Sequence, residues 1–142
     1  MGNRFYRNWL LSFLALFLID VIWHALLFPG FYVRTMGDVV RIAGGRPAPL
    51  IPVIAVGDIL TSLGYTYFVT ATSIANKRFL ANGVLAGLVL QGPFTIWNYA
   101  LIVKWDAVLA AFDLVYAAVQ GVIQGFLLMR LNRSAEMTGR MA

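Results

Sequence analysis

Three aspartates stand inside runs of apolar residues: Asp20 in a run that begins near Trp9, Asp58 in one that begins near Leu50, and Asp113 in one that begins near Ala107. A charged side chain at the centre of a bilayer costs ~2.5–3.5 kcal/mol on insertion scales, so an acid in such a run is a functional candidate by default. Acids gathered in one place bind cations or exchange protons. His24 lies one helical turn from Asp20, within reach of it. Asp20, His24, Asp58 and Asp113 together have the donor types of a divalent metal site, although no ligand motif of defined spacing joins them.

Helical spacing extends the pattern. Asp113, Tyr116, Gln120 and Gln124 fall on one stripe of a helix, as do Gln91, Thr95 and Asn98, and again Asp58, Ser62 and Tyr65. At about 1.5 Å per residue, Asp20 and Asp58 lie about nine residues below Pro29 and Pro49. His24 lies about five residues below Pro29, Asn98 about five below Val103 and Asp113 about six below Ala107. Four runs thus place a strong polar group in the outer half of the membrane, in two adjacent layers. The expectation is a polar cavity built from Asp20, Trp23, His24, Asp58, Asn98, Asp113, Tyr116 and Gln120. For the amides and hydroxyls, bonding between helices is the plainer role. Trp97, Trp105 and Tyr99 sit where interfacial anchors are expected, while Trp23, beside His24, is placed to wall the cavity.

The elements that position these groups follow from composition. Hydrophobic residues make up 61% of the chain and charged ones 12%, with a mean hydropathy of +0.78. A soluble domain needs more charge than that to keep its surface wet. Four runs are long enough to cross ~30 Å of hydrocarbon: about 9–28, 50–72, 79–103 and 107–129. They predict an all-α membrane protein, an antiparallel four-helix transmembrane bundle forming one integral domain over 1–142 with a short C-terminal tail. Strands are ruled out for these runs, which are too long and lack period-two alternation. The first run has basic residues ahead of it, like a signal peptide. Asp20 interrupts it and no small-residue cleavage site follows, so it reads as a retained helix.

The only sizeable loop, 30–48, contains Gly44-Gly45 and Pro47, with Pro49 just after it, whereas the last two runs are joined only by Lys104-Trp105-Asp106. Gly83-x-x-x-Gly87 and Gly121-x-x-x-Gly125 on those two runs let backbones approach, and Pro93 should kink the third helix. Seven Lys and Arg (Arg4, Arg7, Lys77, Arg78, Arg130, Arg133, Arg140) fall on one side against four on the other (Arg34, Arg41, Arg46, Lys104), which places both termini in the cytoplasm.

Several classes are excluded. The net charge of +5 sits at the ends of apolar runs and not in a stripe, so nucleic acid is not a partner. Absence of cysteine removes disulfides, thiolate catalysis and cysteine metal sites. A single histidine excludes bis-histidine haem, and no nucleophile motif is present. No cofactor is named by the sequence.

Ile19-Asp20-x-x-Trp23, Gly30-Phe31-Tyr32-x-Arg34-x-x-Gly37, Asn98-x-Ala100 with Trp105 after it, and Asp113 in the last run resemble the domain-of-unknown-function family 2177, small bacterial membrane proteins with four helices. The resemblance covers about Leu11 to Leu131 and implies a four-helix fold in the bacterial inner membrane, with no activity attached. Thr95 stands where the family usually has an aspartate, Tyr116-Ala117 where it has Trp-Gly, and Asp58 matches no pattern residue. A carboxylate displaced from the third helix to the second would produce that departure.

The functional expectation is a membrane protein with a carboxylate-lined cavity that binds or conducts a cation, a proton or a small polar molecule. Two alternatives stand beside it. One is a non-catalytic accessory subunit, a homodimer or part of a larger membrane complex joined through the glycine faces. The other is a membrane enzyme holding a metal or cofactor on the carboxylates and His24.

Overall fold

Lipid offers a peptide group no hydrogen-bond partner, so a chain this apolar must close its backbone bonds within helices. The computed structural model describes residues 2–37, 41–43, 46–102 and 104–139. Gly44-Gly45 of the loop, Val103 at the expected end of the third run, and Arg140 of the basic count lie outside them. Four helices are long and apolar enough to cross a membrane: Asn3–Leu27, Ile51–Ser73, Phe79–Leu101 and Ala107–Arg133.

The first span is α1, Asn3–Asp20, continued by a π-helical segment, Val21–Leu27. Nothing between Asn3 and Trp9 breaks a helix, so α1 grows back through the basic residues beyond the expected start, to the extended backbone of Gly2. Where the wide turns of the π segment end, the Phe28 amide reaches the Trp23 carbonyl five residues back, at 3.0 Å. Pro29, which has no amide to satisfy, then opens a short helix, α2 (Pro29–Met36), that ends at Gly37 with φ +53°. The loop expected here thus contains a helix. After it comes a two-residue antiparallel ladder, β1 (Ile42–Ala43) with β2 (Arg46–Pro47).

The remaining spans are α3 (Ile51–Asn76), α4 (Phe79–Leu101) and α5 (Ala107–Gly139). Lys77, in the left-handed region at φ 58° and ψ 20°, ends α3. Helix α4 runs on through Pro93. Asp106 caps α5, its carboxylate taking the Leu109 amide at 2.8 Å, which is why that helix starts at Ala107. Beyond Met129 lies no proline, and α5 continues to Gly139 where a tail was expected.

Helices α1 and α4 each pack against both α3 and α5, making a four-helix ring, and the α4–α5 contact is the most extensive. Its cause is glycine. A methyl added at Gly83 would run into the Gly121 carbonyl and lie 2.9 Å from the Gly125 Cα, and one at Gly87 would meet the Ala117 carbonyl. Backbone therefore lies on backbone. The two glycine faces named as docking surfaces for a partner are occupied by each other.

The distribution of side chains is the inverse of a soluble protein's. Leu10, Leu14 and Leu18 on α1, Val53, Leu60 and Tyr67 on α3, and Val108, Val115 and Val122 on α5 are exposed, while Ser12, Ser62, Thr66, Gln120 and Gln124 are fully buried. Apolar side chains turned outward and polar ones turned inward is the arrangement that lipid requires.

Candidate functional site

The buried polar stripes converge on Gln120. Its amide nitrogen donates to the Tyr116 hydroxyl at 2.9 Å and to Asp20 Oδ1 at 3.4 Å. Its carbonyl oxygen accepts from Tyr65 at 3.3 Å and from Gln91 Nε2. Tyr116 in turn donates to Asp20 Oδ1. One amide thus ties all four spans together. The Asp58 carboxyl lies close to that of Asp20, and Asp58 Oδ2 is buried with no hydrogen-bond partner among the described residues. Two carboxyl groups side by side under lipid are held at least cost when a proton lies between them.

One turn further along, the π segment aims Trp23 and His24. Such segments recur at functional sites because they re-aim side chains within a helix. His24 Nδ1 lies 3.1 Å from the Asp20 carbonyl oxygen and 3.8 Å from its carboxylate, and the ring lies between Tyr32, tilted by 39° at 4.8 Å, and Tyr116, edge-on at 4.9 Å. Trp23 packs on Tyr116, Phe28 and Phe112 at 5.0, 4.7 and 5.2 Å. Phe31 of α2 also meets Phe112, at 4.4 Å. This aromatic cluster clamps α2 over the start of α5. Through it Tyr32 reaches Asp113 and donates to Oδ1 at 2.8 Å. Burial, and next the Asp113 carboxylate beside it, push the Tyr32 phenol above its ordinary pKa, so it stays a donor.

A cavity of about 700 Å³ opens where α1 and its π segment, α2, the Arg41 loop and the first turn of α3 meet. Its walls are mostly apolar, with Phe17, Val21, Met36 and Ile54 among them. The polar groups it receives are Asp20, His24, Tyr32 and Arg41. Asp20 is the carboxylate that faces both this space and the buried Asp58.

The chain matches the model of a family described as Predicted membrane protein (DUF2177) over residues 5–128. It belongs to that family. No curated protein and no solved structure matches the chain. The family match fits the inverted side-chain distribution: this is a membrane protein of four apolar helices whose surroundings are a lipid bilayer.

Of the residues named from the sequence, Asp20, Asp58, Tyr116 and Gln120 are brought together, with Trp23 and His24 beside them. Asp113 stands apart in the outer layer, held by Tyr32. Asn98 joins neither group, and its buried Nδ2 has no hydrogen-bond partner among the described residues. Among the described residues no three of His, Asp or Glu come together in one group that could hold a metal ion. Trp97 and Tyr99 are exposed, as interfacial anchors are. Tyr32 and Arg41 were not singled out as site residues. Both lie in the segment after the first span, where no periodicity marks a face, and only Pro29, a first-turn residue, signals a helix there. Ser12 was also missed. It donates to Gln124 Oε1 at 2.6 Å, and Gln124 donates back to its carbonyl at 3.0 Å.

Proposed function

We propose that the protein binds a small cationic amphiphile, an apolar body bearing a protonated amine, and exchanges it for a proton held by the Asp20–Asp58 pair. The observation that carries this is the position of Asp20, open to an apolar-walled cavity on one side and close to the buried Asp58 carboxyl on the other. A cavity of about 700 Å³ falls in the range of ~300–1,000 Å³ used for drug-sized ligands, whose sites are likewise apolar with a few placed polar groups. The carboxylate fixes the amine at the inner wall. Arg41, also lining the cavity, repels a second cation and so orients the ligand.

Exchange follows from charge conservation. An amine cation arriving at the pair brings one positive charge under lipid, and a proton leaving takes one away. The net charge of the site stays constant, which avoids the cost of an unpaired buried ion. Tyr32, which lines the cavity beside His24, offers the amine end a ring face. The Lys and Arg excess on the end that carries the termini supports a cytoplasmic position for that end, with the cavity in the opposite half of the membrane.

The test is equilibrium binding of a fluorescent dodecylamine to the purified protein in detergent. Wild type is expected to bind it, to release it in acid as protons compete, and to lose binding at least about tenfold in Asp20→Asn, the loss of one charge-assisted contact. Binding that is unchanged in Asp20→Asn would refute the reading.

A further inference from the structure

The buried face of α3 carries more hydroxyls than packing uses. Asp58, Ser62, Thr66, Thr70 and Ser73 follow one another at helical spacing. Asp58 is 7% exposed, and Ser62, Thr66 and Ser73 are fully buried. A threonine in a membrane helix ordinarily closes its hydroxyl onto a carbonyl of the preceding turn. Lipid-facing Thr72 does this, donating to the Phe68 carbonyl at 2.7 Å. Thr66 and Thr70 do not: their hydroxyl oxygens are buried without a hydrogen-bond partner among the described residues, as is Asp58 Oδ2. Three orphaned oxygens on one face of one helix, beginning at the carboxyl pair, point to small polar molecules seated between the helices.

Successive groups four residues apart are separated by about 6 Å along the helix. That is too far for a direct bond and right for one water between each pair. From Asp58 to Ser73 the row spans about 22 Å, most of the hydrocarbon thickness. Asn82 of α4 donates to the Ser73 hydroxyl at 2.9 Å. At the same end of the bundle Asn8 is buried on α1 and takes a bond from Arg7 at 3.2 Å.

We propose that a file of water molecules along this face, from Asp58 past Ser62, Thr66 and Thr70 to Ser73, carries protons between the Asp20–Asp58 pair and the end of the bundle that bears the termini. The Thr66 and Thr70 hydroxyls each accept a proton from the water on one side and give one to the water on the other, so one proton enters the file as one leaves it. Ser62, whose hydroxyl donates to the Ile59 carbonyl at 2.9 Å and accepts from Trp9 at 3.1 Å, borders the file without relaying. The path rests on the reading that the carboxyl pair exchanges its proton for a bound amine, and it supplies the route by which that proton comes and goes.

The experiment uses the full chain in liposomes containing a pH-sensitive dye, with a potassium gradient and valinomycin to drive protons. Wild type is expected to pass protons. Thr66→Val with Thr70→Val, which keeps shape and removes both hydroxyls, is expected to lower the flux by about tenfold or more, as unmade buried hydrogen bonds demand. Thr66→Ser with Thr70→Ser is expected to restore it. All variants should bind the labelled dodecylamine as wild type does, which shows that the bundle is intact. Flux in the valine variant equal to wild type, or no recovery in the serine variant, overturns the path. Asp20-dependent amine binding by a wild type that passes no protons also overturns it, while leaving the binding reading standing. Proton flux that depends on Thr66 and Thr70, without Asp20-dependent binding, supports the path and overturns the amine reading instead.

Discussion

Replacing Gln120 with leucine puts a number on the polar interior. The side chain is fully buried and makes hydrogen bonds with Tyr116, Asp20, Tyr65 and Gln91. Side-chain hydrogen bonds between membrane helices average about 0.6 kcal/mol and reach about 1.7, because the unfolded chain in the bilayer also finds partners. Four contacts at the average put the loss near 2 kcal/mol, and leucine of similar size leaves no cavity to add to it. The substitution also strands Gln91 Nε2 and the Tyr65 hydroxyl, so the true cost should not fall below that figure. Reversible unfolding in mixed detergent micelles measures it, with Val122→Leu on the lipid face of the same helix as the control. A double-mutant cycle with Tyr116→Phe should return a coupling of about 0.6 kcal/mol for that one pair. If Gln120→Leu were neutral or stabilising while Val122→Leu was also neutral, Gln120 would not be the hub joining four helices.

Two further substitutions probe what positions the site. Gly121→Ala should lower stability by about 1–3 kcal/mol, since its methyl would lie 2.8 Å from both the Gly83 carbonyl carbon and the Val84 Cα and backbone cannot move aside. Gly57→Ala, with open space around it, should be neutral or stabilising in the same melting experiment. Asp106→Ala, which strips the cap from the first turn of α5, should cost about 1 kcal/mol, and Asp106→Asn should recover most of it. Equal melting temperatures for the alanine and asparagine variants would refute the capping role.

The stripes were legible because a helix repeats. Asp113, Tyr116, Gln120 and Gln124 had to share a face once the run was helical, and lipid forced that face inward. Counting depth from the outer ends likewise put Asp20 and Asp58 level, and they meet. The same ruler put His24, Asn98 and Asp113 in one layer, but only His24 and Asp113 share a neighbour there, Tyr32. Depth along a helix says nothing about rotation about its axis relative to a neighbour.

Hydropathy, helical period and the small residues of α4 and α5 were therefore sufficient for four spans, their order and the character of their inner faces, because in a bilayer those follow from local composition. Tertiary structure decided the rest. The change of hand-hold at Val21, the return of α2 onto Phe112, the choice of Tyr32 as partner of Asp113 and the apolar cavity beside Asp20 all depend on contacts between segments distant in sequence. So does the absence of a metal-ligand set among the described residues, since a donor list carries no distances. Local pattern fixes which side of a helix is polar, and only packing fixes what that side meets.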